Sequence, residues 1–454
     1  MNAQTPSDGL GSLLQSARRR AGLTQEQLAG LSTVSVRAIR DLEQGRVEHP
    51  RKETLPLLAD ALRLSGPRRA ALELAVTGAS VGSALRDVYD AELAPPPVPL
   101  SPLAGRRAEL RALTELLATD HERLLSVVGL PGVGKTRLAQ EAALRLYARD
   151  RIPVLWVPRD RPAAGNPAGT AAHSAQRALV RGVRALVAQE GGADELAAVI
   201  RDRATLIVLD GHDVAPAVEP ALLGLLHSCE RLKVLITARA PHPAPGGRLL
   251  PLAPLPLPAA APAAPGDSLT AGRPAVELMM ACVGLMRPDL LPTDAVITTV
   301  ARICRALDGL PQAMEAAASW LLMYSPQQLL EIARRNPLSL VGGTALPAPG
   351  AGPELSILLT AAVDALPGRL RTAVAELGDV PEPWTVQDAA PLLGRGPADA
   401  ARDVHALLVR GLLRQVPAGP GTGETPRYAV LRLIRAVTDA ARTTAFDATA
   451  VPVG

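Results

Sequence analysis

The sequence predicts a multidomain protein in which an all-α bundle with a helix-turn-helix layout precedes an α/β unit built on a parallel sheet. The chain has 454 residues, too many for one hydrophobic core. Between Leu124 and Ile236, short apolar runs alternate with helical patterns, the arrangement of parallel strands joined by crossover helices. Within that region Gly129-Leu130-Pro131-Gly132-Val133-Gly134-Lys135-Thr136 fits the phosphate-loop pattern of Gly, four residues, then Gly-Lys-Thr.

Composition narrows the class. Hydrophobic residues make up 48% of the chain and aromatic ones only 2%, so the cores are built from Leu, Val and Ala. A formal charge of +4 is modest for this length, and any nucleic-acid surface must be local. Cys229, Cys282 and Cys304 are too scattered for a disulfide framework or a CxxC metal site, and read as buried thiols in a reducing compartment. Met1 to Gly9 lacks the layout of a signal peptide. The longest apolar run, Leu249 to Pro265, is broken by proline throughout and cannot span a bilayer. The expectation is a soluble cytoplasmic protein with no membrane partner.

From the N-terminus, Leu10, Leu13, Leu14 and Ala17 give one amphipathic face, followed by Arg18-Arg19-Arg20 and the stop Ala21-Gly22. Thr24 and Gln27 form a capping box for a helix over Gln25–Gly30. Ser35 is the N-cap of a second helix, Val36 to Gln44, closed by Gly45. Two short helices across a short turn make the helix-turn-helix layout, whose second helix enters the major groove of double-stranded DNA. Val34, Ala38, Ile39 and Leu42 take the buried face of that second helix, which leaves Ser35, Val36, Arg37 and Arg40 outside. These four and Gln25 are the candidate DNA-contacting residues. The alternative is a bundle used only for protein contact, with the Arg triplet a solvated face.

Leu124–Val128 reads as a buried parallel strand leading into the phosphate loop, and Lys135 begins a helix. Gly129, Gly132 and Gly134 let the backbone wrap a polyphosphate so that amides and the positive helix end face the anion; Val133 and Arg137 belong to the same cradle. Lys135 would reach the β and γ phosphates of ATP or ADP, and the Thr136 hydroxyl would bind Mg²⁺. Further strands are expected at Pro153–Val157, Thr205–Leu209 and Leu232–Ile236, with a loop and two helices over 165–204. Asp210, at the carboxyl end of a strand, is a second Mg²⁺ candidate; Asp213 could orient water and Arg239 could sense the γ phosphate.

Two resemblances add to this. The first domain resembles the Cro and repressor-like helix-turn-helix family in Gly22-Leu23-Thr24-Gln25, Leu28-Ala29, Val34-Ser35, Ile39 and Leu42-Glu43. That family usually has Gly in the turn where this chain has Thr33. From about Leu103 to Ala441 the chain resembles the STAND class of P-loop NTPases, specifically the NB-ARC-type regulators common in actinobacteria. The matching residues are Gly105-Arg106, the phosphate loop, Leu209-Asp210, Thr237-Ala238-Arg239, the Leu-Pro run at 249–258 and Cys304-Arg305-Ala306-Leu307-Asp308-Gly309-Leu310-Pro311. The resemblance implies a helical lid domain and a winged helix after the α/β unit. It places Gly105, Arg106 and Pro311 on the adenine side of the nucleotide. A winged helix over Leu370–Val437 is implied, with Val404–Leu413 as its recognition-like helix, a wing near Gly419–Thr425 and a strand at Arg427–Leu431. Departures are Gln312 for a hydrophobic residue, Asp213 for Glu, and Leu431-Arg432 where relatives often carry His-Asp that reads the β phosphate.

The expected domains are 1–78 (helix-turn-helix), 79–102 (Pro-rich linker), 103–258 (P-loop NTPase), 259–345 (helical lid), 346–445 (winged helix) and 446–454 (tail). The expected function is a nucleotide-gated DNA-binding transcriptional regulator. ADP would hold the winged helix closed, while ATP with Mg²⁺ would open it and allow self-association; a slow ATPase and an unknown signalling partner complete the expectation. A STAND-type signalling or defence scaffold, with the first domain binding protein and the nucleotide structural, is the alternative.

Overall fold

The structure is a computed structural model that describes residues 10–44, 46–47, 54–62, 64, 96–99, 102–158, 196–197, 200, 202–211, 219–241, 245–257, 273–342, 354–416 and 425–449. Most of the expected Pro-rich linker, most of the helices expected within 165–204, Asp213 and the wing at 419–424 lie outside the described residues.

The N-terminal unit has four helices among its described residues: α1 (Leu10–Arg20), α2 (Gln25–Ser32), α3 (Val36–Glu43) and α4 (Thr54–Ala61). Leu14, Leu28, Ile39, Leu42 and Leu58 form its core. Thr24 caps α2 through a reciprocal box with Gln27, and Ser35 caps α3 by accepting the Ala38 amide. α2 runs on to Ser32, past the expected end at Gly30. Thr33 occupies the left-handed region at φ 58°, where Gly would be unstrained, and its hydroxyl donates to the Ser32 carbonyl at 2.6 Å. The turn geometry therefore survives without glycine.

One residue of the Arg triplet is structural. Arg18 donates through Nε and Nη2 to the two carboxylate oxygens of Glu43, at 2.6 and 3.0 Å, and through Nη1 to the Leu23 carbonyl. Gln25 Nε2 donates to the same carboxylate at 2.7 Å. Burial alone would push the Glu43 carboxyl up, but these hydrogen bonds outweigh it and hold it below the usual range.

The α/β unit begins with α5 (Arg107–Ala118), then β1 (Leu124–Val128), α6 (Lys135–Asp150), β2 (Val154–Pro158), β3 (Thr205–Asp210), α7 (Glu219–Ser228), β4 (Leu232–Ala238) and β5 (Arg248–Pro251). The five strands form one parallel sheet in the order β2-β3-β4-β1-β5. β1 and β4 are buried at every position, as central strands covered on both faces must be. Lys233, inside β4, sends its ammonium to the carbonyls of Leu117 and Thr119, at 2.6 and 2.9 Å, where it satisfies the end of α5. The sequence reading missed β5, because its Leu-Pro composition reads as an irregular run. It sits at the sheet edge, where Pro251 is tolerated.

Helices α8 (Pro274–Met286), α9 (Asp294–Ala306), α10 (Pro311–Ser319), α11 (Pro326–Arg335) and α12 (Pro337–Val341) follow. The C-terminal module comprises α13 (Leu355–Asp364), α14 (Gly368–Gly378), α15 (Val386–Leu392), α16 (Pro397–Val409), β6 (Leu413–Val416), β7 (Arg427–Val430) and α17 (Arg432–Thr449). The expected recognition-like helix over Val404–Leu413 is corrected: α16 ends at Val409, and Leu413 pairs with Val430 in the β6–β7 ladder. One apolar core runs from α5 and β1 through these helices to α17.

Asp308 joins the helices before it to the module after it. It lies in the turn between α9 and α10, is 1% exposed, and accepts the Leu433 amide at the start of α17 at 2.8 Å and Arg414 Nη1 at 3.4 Å. A carboxylate at a helix N-terminus is favourable, yet burial raises the Asp308 carboxyl to about 6, with Arg414 pulling the other way.

These two carboxylates give opposite pH responses. Because the folded pKa of Asp308 is raised, its contribution is fully present in acid, below the ordinary pKa of 3.8, and is lost as the pH rises through about 6. The total effect is roughly 3 kcal/mol. Asp308→Asn should flatten that part of the melting-temperature profile between about pH 4 and 6; an unaltered profile would refute the assignment. Arg18→Ala leaves Glu43 buried without its cation and should cost the N-terminal bundle about 3 kcal/mol. Amide exchange at Leu28 and Ile39 should then accelerate roughly a hundredfold, and unchanged exchange would count against it.

Candidate nucleotide site and DNA-contact helix

β1 delivers the chain to the phosphate loop, and α6 leaves it. Gly132, at φ 77°, is required on two counts: a Cβ there would lie 2.9 Å from Gln312 Cβ and 3.0 Å from Leu355 Cδ1. The loop carbonyls turn back into the protein. Lys135 Nζ donates to the carbonyls of Gly129 and Leu130, both at 2.8 Å. The Gln312 amide donates to Gly132 O at 3.2 Å, and Arg106 Nη2 to Val133 O at 3.2 Å. Gly134 is the N-cap of α6 and has no side chain to cap it, and a helix start of this kind is a place where an anion can be bound.

The carboxyl ends of β3 and β4 bring hydroxyl and carboxylate groups to the start of α6. Thr136 Oγ1 and Thr237 Oγ1 both donate to Asp210 Oδ1 at 2.7 Å, and the Gly211 amide donates to Thr237 Oγ1 at 2.7 Å. A hydroxyl and a carboxylate side by side suit Mg²⁺, a hard cation that takes few protein ligands and completes its shell with phosphate oxygens and water. Among the described residues no cluster of three or more His, Cys, Asp or Glu could bind a metal alone. The residues present fit a Mg²⁺-nucleotide.

Of the other expected site residues, Arg239 follows β4 and lines a cavity with Leu130 and Pro131 of the loop. Pro311 opens α10, which brings the neighbouring Gln312 to the loop. Arg106, 3% exposed, also bonds Glu109 at 2.8 Å and the Ala253 carbonyl at 2.6 Å, so it ties the loop to the segment after β5; burial lowers its pKa, against the pull of Glu109. Gly105 packs against Pro274 and Leu255. Arg137 pairs with Glu141 on its own helix. Asp213 lies outside the described residues.

The sequence reading did not single out three participants. Gly411, at φ 77°, packs against the loop: a Cβ on it would lie 3.3 Å from the Leu130 amide nitrogen. Arg410 beside it lines the same cavity as Arg239. Thr237 was visible only as part of a matching tripeptide.

On α3, Arg37 and Arg40 are exposed one turn apart, with Arg37 only 3.9 Å from Asp41 in a weak pair. Ser35 is exposed, and Val36 is half-buried. Gln25 is engaged by Glu43, which leaves Arg37 and Arg40 as the open cationic pair of this face.

A helix-turn-helix domain family matches residues 10–72. An uncharacterized protein of Mycobacterium tuberculosis is 30% identical over 241 residues, covering 51% of this chain and 53% of that one. A protein from the same organism, named as an HTH-type transcriptional regulator, is 31% identical over 212 residues, covering 46% of this chain and 21% of that one. The chain thus spans about half the length of the first relatives, and less of the second. Among solved structures, a STAND protein with a tetratricopeptide repeat sensor from Pyrococcus horikoshii aligns with 76% of this chain and 44% of that chain at TM-score 0.30 and 15% identity. The Aeropyrum pernix ORC1 protein in complex with DNA aligns with 76% of this chain and 95% of that chain at TM-score 0.32 and 15% identity. At such scores the alignments add nothing to the fold already described. The chain joins an N-terminal helix-turn-helix domain to a five-stranded parallel α/β sheet that carries a phosphate-loop sequence. No helix among the described residues is long and apolar enough to cross a membrane.

Proposed function

We propose that this chain is a nucleotide-gated DNA-binding transcriptional regulator. The observation that carries this reading is the seat of the C-terminal module, whose Gly411 packs on Gly129 and Leu130 of the phosphate loop. A ligand in the loop therefore bears on a surface shared by the sheet, α10 and that module. The helices of 259–345 act as a lid, and 346–445 as a winged helix. Supporting the second assignment, Trp384 bridges to Tyr428 beside the β6–β7 hairpin, as in a small winged sheet.

Each residue has a role in this reading. Lys135 and the first amides of α6 bind the β and γ phosphates. Thr136 and Asp210 bind Mg²⁺, with Thr237 fixing the carboxylate. When bound, Mg²⁺-nucleotide supplies localised charge that the two seatings of the module feel differently, which is the requirement for any population shift. Arg37 and Arg40 of α3 contact the major groove. One bundle offers few phosphate contacts, so useful affinity calls for self-association of copies.

The test is binding to a DNA fragment from upstream of the chain's own gene, at one stated salt concentration, with ADP or with a non-hydrolysable ATP analogue and Mg²⁺. Affinity should differ between the two by about tenfold or more. Lys135→Ala should abolish the difference together with nucleotide binding. Arg37→Ala with Arg40→Ala should weaken DNA binding at least tenfold, ~1.4 kcal/mol, and leave nucleotide affinity intact. Equal DNA affinity in every nucleotide state would refute gating. Absence of selective DNA binding would leave a scaffold whose first domain contacts protein.

A further inference from the structure

A cavity of 230 Å³ lies between the phosphate loop and the C-terminal module. Leu130 and Pro131 line it from the loop, Arg239 from the end of β4, Leu366 and Pro367 from the α13–α14 turn, and Arg410 from the end of α16. Two guanidinium-bearing residues thus share a cavity whose described lining contains no carboxylate.

Arg410 is half-buried and donates through Nη1 to the Ala406 carbonyl at 2.9 Å, an interaction with its own helix. Among the described residues no acidic side chain pairs with it, and burial lowers its pKa. A cation brought out of water without a counter-charge costs the seated form free energy. An anion entering the cavity would remove that cost.

The position of the cavity identifies that anion. The Lys135 ammonium, which in a phosphate loop reaches the β and γ phosphates, sits on the carbonyls of Gly129 and Leu130. Leu130 borders the cavity, and Arg239 follows Ala238, the strand partner of Val128. The cavity that Arg239 and Arg410 line thus borders the second and third residues of the phosphate loop, Leu130 and Pro131.

We propose that Arg410 is a phosphate-binding residue which, with Arg239, takes a terminal phosphate group and thereby draws the C-terminal module onto the loop. That group is the γ phosphate of ATP, or free orthophosphate beside ADP. The inference rests on the nucleotide-switch reading and gives it a direction: the triphosphate favours the seated form, the reverse of what the family resemblance implies.

The test is calorimetric titration of the full chain and of Arg410→Gln and Arg410→Lys, in the presence of Mg²⁺. The ligands are ADP, ADP with orthophosphate, and a non-hydrolysable ATP analogue. For a γ-phosphate site, Arg410→Gln should lose about tenfold in analogue affinity while ADP affinity stays within twofold, and Arg410→Lys should recover part of the loss. For an orthophosphate site, the variant should lose only the gain that orthophosphate gives to ADP. Either result supports phosphate binding by Arg410. Unchanged affinities for all ligands, or a parallel loss of ADP and analogue, would overturn it. If the unsubstituted chain binds no nucleotide at all, the switch reading fails first, and that outcome is distinct.

Discussion

Everything around the candidate site depends on which way the phosphate-loop carbonyls point. Those of Gly129 and Leu130 are bonded by the Lys135 ammonium, that of Gly132 by the Gln312 amide, and that of Val133 by Arg106. With these acceptors satisfied from within, the loop's carbonyls do not compete with an anion, and a row of backbone donors is what an anion recognises. The groups that bond these carbonyls come from three places in the chain, before the sheet, within the loop's own helix and at the start of α10, and the α16–β6 turn packs against the loop as well. The loop is therefore a meeting point of segments far apart in sequence.

That arrangement explains why so much of the α/β unit was legible. A phosphate loop has a fixed spacing because each glycine, the lysine and the threonine act on one ligand, and the flanking run Leu124–Val128 is apolar because both sheet faces are covered. Asp210 was legible for the same reason: a carboxylate at the end of a buried strand gains meaning from the loop upstream. The Thr24 and Ser35 caps were legible because capping is a local interaction.

What the sequence hid was decided by distant partners. Arg18 looks like its neighbours Arg19 and Arg20, and only the approach of Glu43 to α1 makes it part of the core. β5 lacks strand composition and exists because β1 offers it a ladder. The end of α16 was misplaced by four residues because Leu413 is as apolar as the helix before it; the left-handed Gly411 and the pairing of Leu413 with Val430 decide the matter. Arg410 carries no local mark of function, and its interest arises from the cavity it shares.

Asp308 has a consequence for how this architecture can be recombined. The first turn of α17 finds its capping carboxylate 125 residues earlier in the chain, in the turn that leads into α10. Helices normally carry their own caps, and a unit that does so can be exchanged between proteins without leaving polar groups stranded. Here the boundary between the two regions runs through Asp308 and its bonds to Leu433 and Arg414. Grafting the C-terminal module onto another protein would orphan the Leu433 amide unless the donor's Asp308 segment travels with it. In chimeras and in divergence alike, these two stretches of chain form one heritable piece.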